Sequence, residues 1–566
     1  MTLSGPKFVK EEIIAHKGIV TASLPPSAEA GLKILKNGGN AVDAGVAMGF
    51  CNTVLEPYLA ALAGLGFMLI YSADEDRVVA IDFNTRAPRA VSPDMYRVKD
   101  AAAVGGTKIF EVEGNENSVG PKSVTIPATL IGLCKAHELY GSKPLAELLE
   151  PAISLASEGF TLGWDQALNL ANLMRERGRN PEIDSIWYPR ESMPPQGSMI
   201  IQPALGRLLR RVSEEGPRFV YDGDVAEKIV AEVNGRGGII SREDLATYEP
   251  NISAPLSIQY SDLEVVTVPT PSGGVTVLET LNILEKFDLT SMEHNSAEYL
   301  HTLIEASRHA FADRYSLLGD WEVTDVPIVG MLSKTYAAEL AESIDPTCTK
   351  FDSNGPEPWV KYLGTPIHDP SRHNPAAARG GNSETTHFNS VDQKGNAVSC
   401  THTPGFQSGV VPPGTGLYLT AAMGWFIPKL GYPNSVAGWK RPLMNMAPLM
   451  VLRDGKPIIL QGAPGSRRII SRNTQVVLNM VEFGMGPQEA VTAPTVDASG
   501  LETLIDSQMI PEAVRLLRGK GHHVKVMEEG PGTSVFARPS AVLIDRESSI
   551  IRGGVDVFRR SLALGF

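Results

Sequence analysis

Cysteine is scarce in this chain: there are four among 566 residues, and Cys51, Cys134, Cys348 and Cys400 lie far apart. With no CxxC pair, neither a zinc knuckle nor a dithiol redox centre is indicated, and isolated buried thiols in a reducing compartment are expected. No uncharged apolar run reaches the roughly 18 residues needed to cross a bilayer. The start, Met1-Thr2-Leu3-Ser4-Gly5-Pro6-Lys7, leads into Lys10-Glu11-Glu12 without the apolar core of a secretion signal. A cytoplasmic location is therefore expected. Long basic runs are also missing, and the net charge is −13, which speaks against nucleic acid or anionic membranes as partners. The GxSxG, HExxH and Walker signatures are absent. Neither His522-His523 nor His368 with His373 has metal-ligand spacing, so surface positions are expected for them. No metal or organic cofactor is implied.

What is present is an ordinary globular composition, 43% hydrophobic and 20% charged, at a length suited to about two to four domain-sized units. Ser27 can cap a helix running to about Lys36, with Gly38-Gly39 ending it, and Asn40 can cap the next, from Ala41 to about Phe50. Residues 67–71 and 78–83 read as a hairpin buried on both faces. A mostly helical middle follows, roughly 125–350. Residues 351–384 then hold five prolines, four glycines and no apolar period. They read as an exposed, mobile connector where the chain can be cut without loss of core. Hairpins return after it: Thr385–Val391 with Asn396–Thr403, Met450–Leu452 with Ile458–Leu460, and Val542–Ile544 with Ile550–Ile551. A helix pattern runs from Ile469 to Phe483, ended by Gly484. Antiparallel hairpins with intervening helices indicate an α+β fold of layered helix and sheet.

Chemistry concentrates where the connector meets the first of these hairpins, at Glu384-Thr385-Thr386-His387. Paired threonines at a strand start are commonly structural. Here a hairpin turning near Lys394 sets Thr385 opposite His402, within one position, and so brings the Thr403 hydroxyl near the Thr385 hydroxyl. Such a nucleophile lacks a base. Cleavage between Glu384 and Thr385 supplies one, the new α-amine, whose ordinary pKa is about 7.7–8.0. The run Gly462-Ala463-Pro464-Gly465-Ser466-Arg467-Arg468 leaves a strand and enters a helix. Backbone N–H groups at such a turn can hold an oxyanion.

These segments resemble the γ-glutamyltransferase (γ-glutamyltranspeptidase) family of N-terminal-nucleophile hydrolases. The resemblance is carried by Thr385-Thr386-His387-Phe388 through Val391-Asp392 and Gly395-Asn396-Ala397-Val398, by Lys440-Arg441-Pro442-Leu443, and by Gly462 to Arg467. Gly38 to Ala44, Gly66 to Leu69, Asp82-Phe83 with Ala87-Pro88, and Ser123-Val124 with Pro127 extend it in order over nearly the whole chain. It implies a four-layer αββα sandwich and self-cleavage into a large subunit, 1–384, and a small one, 385–566. It also implies Thr385 as nucleophile, Thr403 as assisting hydroxyl, and Gly465 and Ser466 at the oxyanion hole, where the family usually has two glycines.

The departures from the family pattern are specific. The family's carboxylate-binding arginine is replaced by Asn84, with Arg86 two residues on and on the same face of an extended strand. The paired serines after Arg-Pro-Leu become Met444 and Asn445, and the acidic residue that grips the α-amine becomes Trp425, after Ala421-Ala422-Met423-Gly424. Pro404-Gly405 replaces an asparagine region, and the short stretch 426–440 leaves no length for the family's lid. A zwitterionic glutamyl end would lose partners here, at a cost on the order of several kcal/mol per pair. The expectation is a self-processing hydrolase of a small non-glutamyl amide, with Asn84, Arg86, Trp425, Met444 and Asn445 lining the pocket and hydrolysis exceeding transfer. The alternatives are a genuine γ-glutamyl hydrolase or transferase using glutathione-like donors, and an uncleaved, non-catalytic binding relative. Homo-oligomerisation is left open.

Overall fold

Two antiparallel seven-stranded sheets form the centre of the molecule. The computed structural model describes residues 8–99, 102–104, 107–173, 180–352, 359–362, 385–531, 533 and 535–566. In spatial order the first sheet is Leu562–Gly565, Ile19–Ala22, Thr386–Val391, Ala397–Thr403, Leu65–Ser72, Arg77–Phe83 and Asn251–Ser253. The second is Ile13–Ala15, Ile550–Val555, Ser540–Asp545, Lys456–Gly462, Leu449–Arg453, Leu263–Thr267 and Leu256–Tyr260. The sheets pack face to face through their central strands. Helices Pro25–Lys36, Ala41–Leu55 and Thr129–Tyr140 cover the first, and Gly274–Leu284, Arg468–Val481 and Pro487–Thr492 cover the second. This is the four-layer αββα sandwich of the N-terminal-nucleophile hydrolases. Because each sheet is covered on both faces, strands such as Leu65–Ser72 and Ala397–Thr403 are buried throughout rather than alternating.

Helix Ala41–Leu55 sets the frame for the hairpin beside it. Asn40 caps it, accepting from Asp43 N at 2.9 Å while Asp43 accepts from Asn40 N at 2.9 Å. The helix runs five residues beyond the sequence expectation because every one of its residues is buried. The preceding helix starts at Pro25 rather than after Ser27. A proline at its first position needs no partner for an N–H, and the Ser27 hydroxyl instead donates to Met48 O at 3.1 Å.

Most of the 351–384 connector, with Glu384, His368 and His373, lies outside the described residues. Its described part departs from an exposed connector. Phe351, Trp359 and Tyr362 are buried, and the Arg308 guanidinium lies 3.4 Å from the centre of the Phe351 ring. Cys51, Cys134 and Cys400 are buried as expected, but Cys348 is exposed.

Candidate active site

The hairpin Thr386–Val391/Ala397–Thr403 pairs Thr386 with His402 and Val391 with Ala397. One further step sets Thr385 opposite Thr403, one position from the centre of the sequence expectation. The shift arises at the turn, where Asp392 N donates to Asn396 O at 3.1 Å and the Asp392 carboxylate gathers Lys394 N and Asn396 N at 2.8 and 3.1 Å. Thr385 is 5% exposed and Thr403 2%. The Thr403 hydroxyl accepts from Gly405 N at 3.1 Å.

Alternation divides this hairpin between two faces. Thr386, Phe388 and Ser390 face helix Ala41–Leu55, and the Ser390 hydroxyl donates to Ala41 O at 2.7 Å. Thr385, His387 and Asn389 share the opposite face, toward the second sheet. There Asn389 Nδ2 lies 3.1 Å from Thr21 Oγ1 and 3.2 Å from Ser540 Oγ, and Ser399 Oγ donates to Gln461 O at 3.3 Å. The sheets therefore meet through a polar seam at the strand that follows Thr385.

His387 belongs to that seam, with Nδ1 2.8 Å from Thr401 Oγ1 and Nε2 3.2 Å from Asn389 Oδ1. Burial pushes its pKa down to about 3, and does the same for His402. Both imidazoles are neutral at working pH and neither accepts a proton readily, which leaves the base role to another group.

The turn Gly462 to Arg467 follows the central strand of the second sheet and leads into helix Arg468–Val481. No side chain caps this helix, and neither Gly465 nor Ser466 donates its N–H to another backbone carbonyl among the described residues. Gly465 has φ +152°, and a Cβ on it would stand 2.3 Å from Ala537 Cβ. Ser466 has φ 54°, a left-handed conformation that costs a non-glycine residue about 1 kcal/mol. The backbone thus keeps a two-glycine shape although the second residue is serine.

The strand end at Phe83 is fixed by a buried charge cluster. Arg441 Nη1 donates to Asp82 Oδ2 at 2.6 Å, and its Nη2 donates to Asp320 Oδ1 at 2.6 Å. Asp320 Oδ2 also accepts from Arg441 N at 2.9 Å, and Asp82 Oδ1 from Asn84 N at 2.7 Å. Arg441, only 2% exposed, thereby ties the Lys440–Leu443 segment to the strand carrying Asn84.

The chain is similar to known proteins over nearly its whole length. Residues 27–566 match the family model described as gamma-glutamyltranspeptidase. The chain belongs to the gamma-glutamyltranspeptidase family. It is 35% identical over 494 residues to a "Glutathione hydrolase proenzyme" of Pseudomonas sp. (strain A14), covering 85% of this chain and 81% of that protein. It is 33% identical over 519 residues to an "Acylase ACY 1 proenzyme" of Pseudomonas sp. (strain SE83), covering 91% and 88%. Among solved structures, the cephalosporin acylase of Bacillus halodurans superposes with TM-score 0.85 at 25% identity, covering 100% of this chain and 98% of that one. The chain is thus an enzyme of the hydrolase and transpeptidase group.

Within this family frame, the residues read as substrate-binding have varied surroundings. Asn84 is 1% exposed; its Nδ2 donates to Pro442 O at 2.9 Å, while its Oδ1 has no partner. Arg86 donates to Glu322 at 2.6 Å and to Trp439 O at 2.9 Å, so its charge is already paired. Trp425 stacks on Phe406 at 5.2 Å with a 16° interplanar angle. Met444 is 1% exposed within the main core, and Asn445 Oδ1 accepts from Arg314 at 2.8 Å. An apolar pocket is lined by Tyr58, Trp187, Pro404, Phe406, Tyr418 and Leu419; Thr385, Thr403 and the five residues expected to bind substrate are not among its lining residues.

The structure also brings together His301, Glu305 and His522, whose candidate ligand atoms lie within 4.8 Å of one another. His522 is buried, against the sequence expectation, while His523 is exposed. His301 Nδ1 lies 2.7 Å from His522 Nε2, and the Glu305 oxygens accept from Thr349 and Tyr362 at 2.7 and 2.9 Å. The two rings hydrogen-bond each other directly, and burial together with the nearby Arg308 charge holds the His522 pKa well below the usual imidazole range. The cluster reads as a clasp between helix Ala297–Leu317 and the C-terminal segment.

Sequence reasoning did not find the contacts of Arg441, Asp320 or His387. For Asp82 a signal existed, since it is a lone Asp inside the otherwise apolar run 78–83.

Proposed function

We propose that this chain is a self-processing amide hydrolase with Thr385 as nucleophile, acting through an acyl-enzyme on a small amide that lacks a glutamyl α-amine. In the first stage Thr385 Oγ1 attacks the Glu384 carbonyl carbon and the C–N bond breaks. The hydroxyl proton ends on the departing nitrogen, and an ester remains. Water hydrolyses the ester, leaving the Glu384 carboxylate, the Thr385 α-amine and subunits 1–384 and 385–566. In the second stage Thr385 Oγ1 attacks a substrate amide with its own amine as base. The Gly465 and Ser466 N–H groups hold the oxyanion. The substrate amine departs and water releases the acyl group. Thr403, across the hairpin from Thr385, steadies the nucleophile.

The observation that carries the specificity reading is the pair Asn84 and Arg86: one has no charge, and the other is neutralised by Glu322. Neither offers a free cation to an α-carboxylate. Trp425 offers no anion to an α-amine. The acylase and cephalosporin acylase names of similar proteins fit this reading.

Intact-mass spectrometry tests the first stage. Two chains meeting at 384/385 are expected, and one chain in Thr385→Ala; a single wild-type chain after long incubation would leave only a binding role. The second stage is tested with glutaryl and γ-glutamyl anilides, which differ only in the α-amine. At least tenfold higher kcat/KM is expected for the glutaryl compound. The reverse order would favour the second reading, a γ-glutamyl hydrolase, which the glutathione hydrolase relative supports.

A further inference from the structure

The proposed base, the Thr385 amine, does not exist until cleavage has happened, so the precursor must orient the strand start by other means. Helix Ala41–Leu55 lies along the nucleophile hairpin and is fixed to it at both ends. At its N-terminus Ala41 N donates to the Asp392 carboxylate at 2.9 Å. In its middle, Gly45 lies against Val398, Phe388 and Ser390, with no room for more than a light Cβ contact. At its C-terminus Glu56 hydrogen-bonds the Thr386 side chain. Fifteen helical residues and a six-residue strand both span about 20 Å. The helix thus measures out the hairpin from its turn to the nucleophile.

Glu56 is a costly residue in that place. It is 2% exposed, and it caps the C-terminal, partially negative end of a helix. Its Oε1 has no hydrogen-bond partner, and neither does Tyr58 Oη or Arg559 Nη1, all buried. The groups that act on it are Arg559 from the C-terminal segment, Asp165 at the start of helix Trp164–Leu173, and Thr386. Tyr58 lies in the same field. Burial dominates and pushes its pKa up to about 7. Thr386 Oγ1 also lies 2.9 Å from Ser23 Oγ. A neutral Glu56 donates to Thr386, whereas an ionised one accepts from it and turns the Thr386 hydroxyl proton away from Ser23. A purely structural contact would be met more cheaply by glutamine.

We propose that Glu56 is a positioning residue for cleavage of the 384–385 bond, orienting the start of the nucleophile strand through the Thr386 hydroxyl. This rests on Thr385 being the nucleophile. The test follows cleavage of the full chain after cell-free synthesis, by intact mass, from pH 5.5 to 8.5, for wild type, Glu56→Gln, Glu56→Asp, Thr386→Val and Thr385→Ala. Wild-type cleavage is expected to change rate around pH 7. Glu56→Gln should slow it at least tenfold and flatten the profile, Glu56→Asp should restore part of both, and Thr386→Val should behave like Glu56→Gln. Once cleaved, the Glu56→Gln enzyme should lose much less in turnover than in processing. A wild-type profile flat across pH 7 would overturn the proposal, with or without a folded variant. So would wild-type processing by Glu56→Gln, or equal losses in processing and turnover. Cleavage of Thr385→Ala at the wild-type rate would instead overturn the nucleophile assignment itself.

Discussion

The imidazole of His387 lies directly on Gly462: a Cβ at Gly462 would come within 2.2 Å of His387 Cε1 and 2.5 Å of Nδ1. His387 is two residues from Thr385, and Gly462 opens the turn that carries Gly465 and Ser466. The strand after Thr385 and the 462–467 turn, which follows a strand of the other sheet, are thereby held in register by one ring against one bare Cα. Gly462→Ala is expected to force them apart, costing about 1–3 kcal/mol of stability, as overpacking does. Urea unfolding should show the loss, and intact mass should show slowed processing beyond it.

Ser466 should respond in the opposite sense. At φ 54° a glycine relieves the strain of the left-handed conformation, and Ser466→Gly is expected to stabilise the fold by up to about 1 kcal/mol with processing retained. Gly465→Ala, by contrast, meets the Ala537 Cα at 2.4 Å. It should lose activity along with stability. Thermal unfolding and anilide turnover on the two variants separate the effects.

Arg441 stands between Asp82 and Asp320 with almost no access to water. Truncation to Ala leaves two buried carboxylates without their counter-charge, and a loss of about 3–5 kcal/mol is expected. Measured against Asp320→Asn and the double variant, the coupling should be large and favourable.

Glu56 makes a pH prediction for stability as well as for processing. Its carboxyl is held up to about 7 in the folded chain, against about 4.3 in an unfolded one. Between these values the folded state binds the extra proton, so stability falls as pH rises through that window and the cost is complete above it. Glu56→Gln has no such cost. Whatever its offset at pH 5, its Tm relative to wild type should climb between pH 5 and pH 8.

The hairpin after Thr385 and the strand-to-helix turn at 462–467 were legible because their determinants are local. Asp392 to Gly395 is a turn in sequence as well as in space, and Gly465 announces an unusual backbone. The register lies at the edge of the expected one-position range because Asp392 and Asn396 close the turn through side chains, which alternation alone does not reveal. Arg441 with Asp320 and Glu56 with Thr386 were out of reach. They are separated by 121 residues in the first case and by most of the large subunit in the second. His522 was misjudged for the same reason, since its partner His301 is 221 residues away. Connector residues Trp359 and Tyr362 were misread because aromatic anchors among prolines carry no period, yet each finds a buried slot against helix Ala297–Leu317.

In both sheets, strands from before residue 384 are interleaved with strands from after it. Ile19–Ala22 is hydrogen-bonded between Thr386–Val391 and Leu562–Gly565, and Ile13–Ala15 closes the edge beside Ile550–Val555. A cut at 384/385 therefore makes two polypeptides but not two bodies. Neither piece could leave without breaking ladders in both sheets. Under the proposed processing, maturation would be a change of chain ends inside a finished solid.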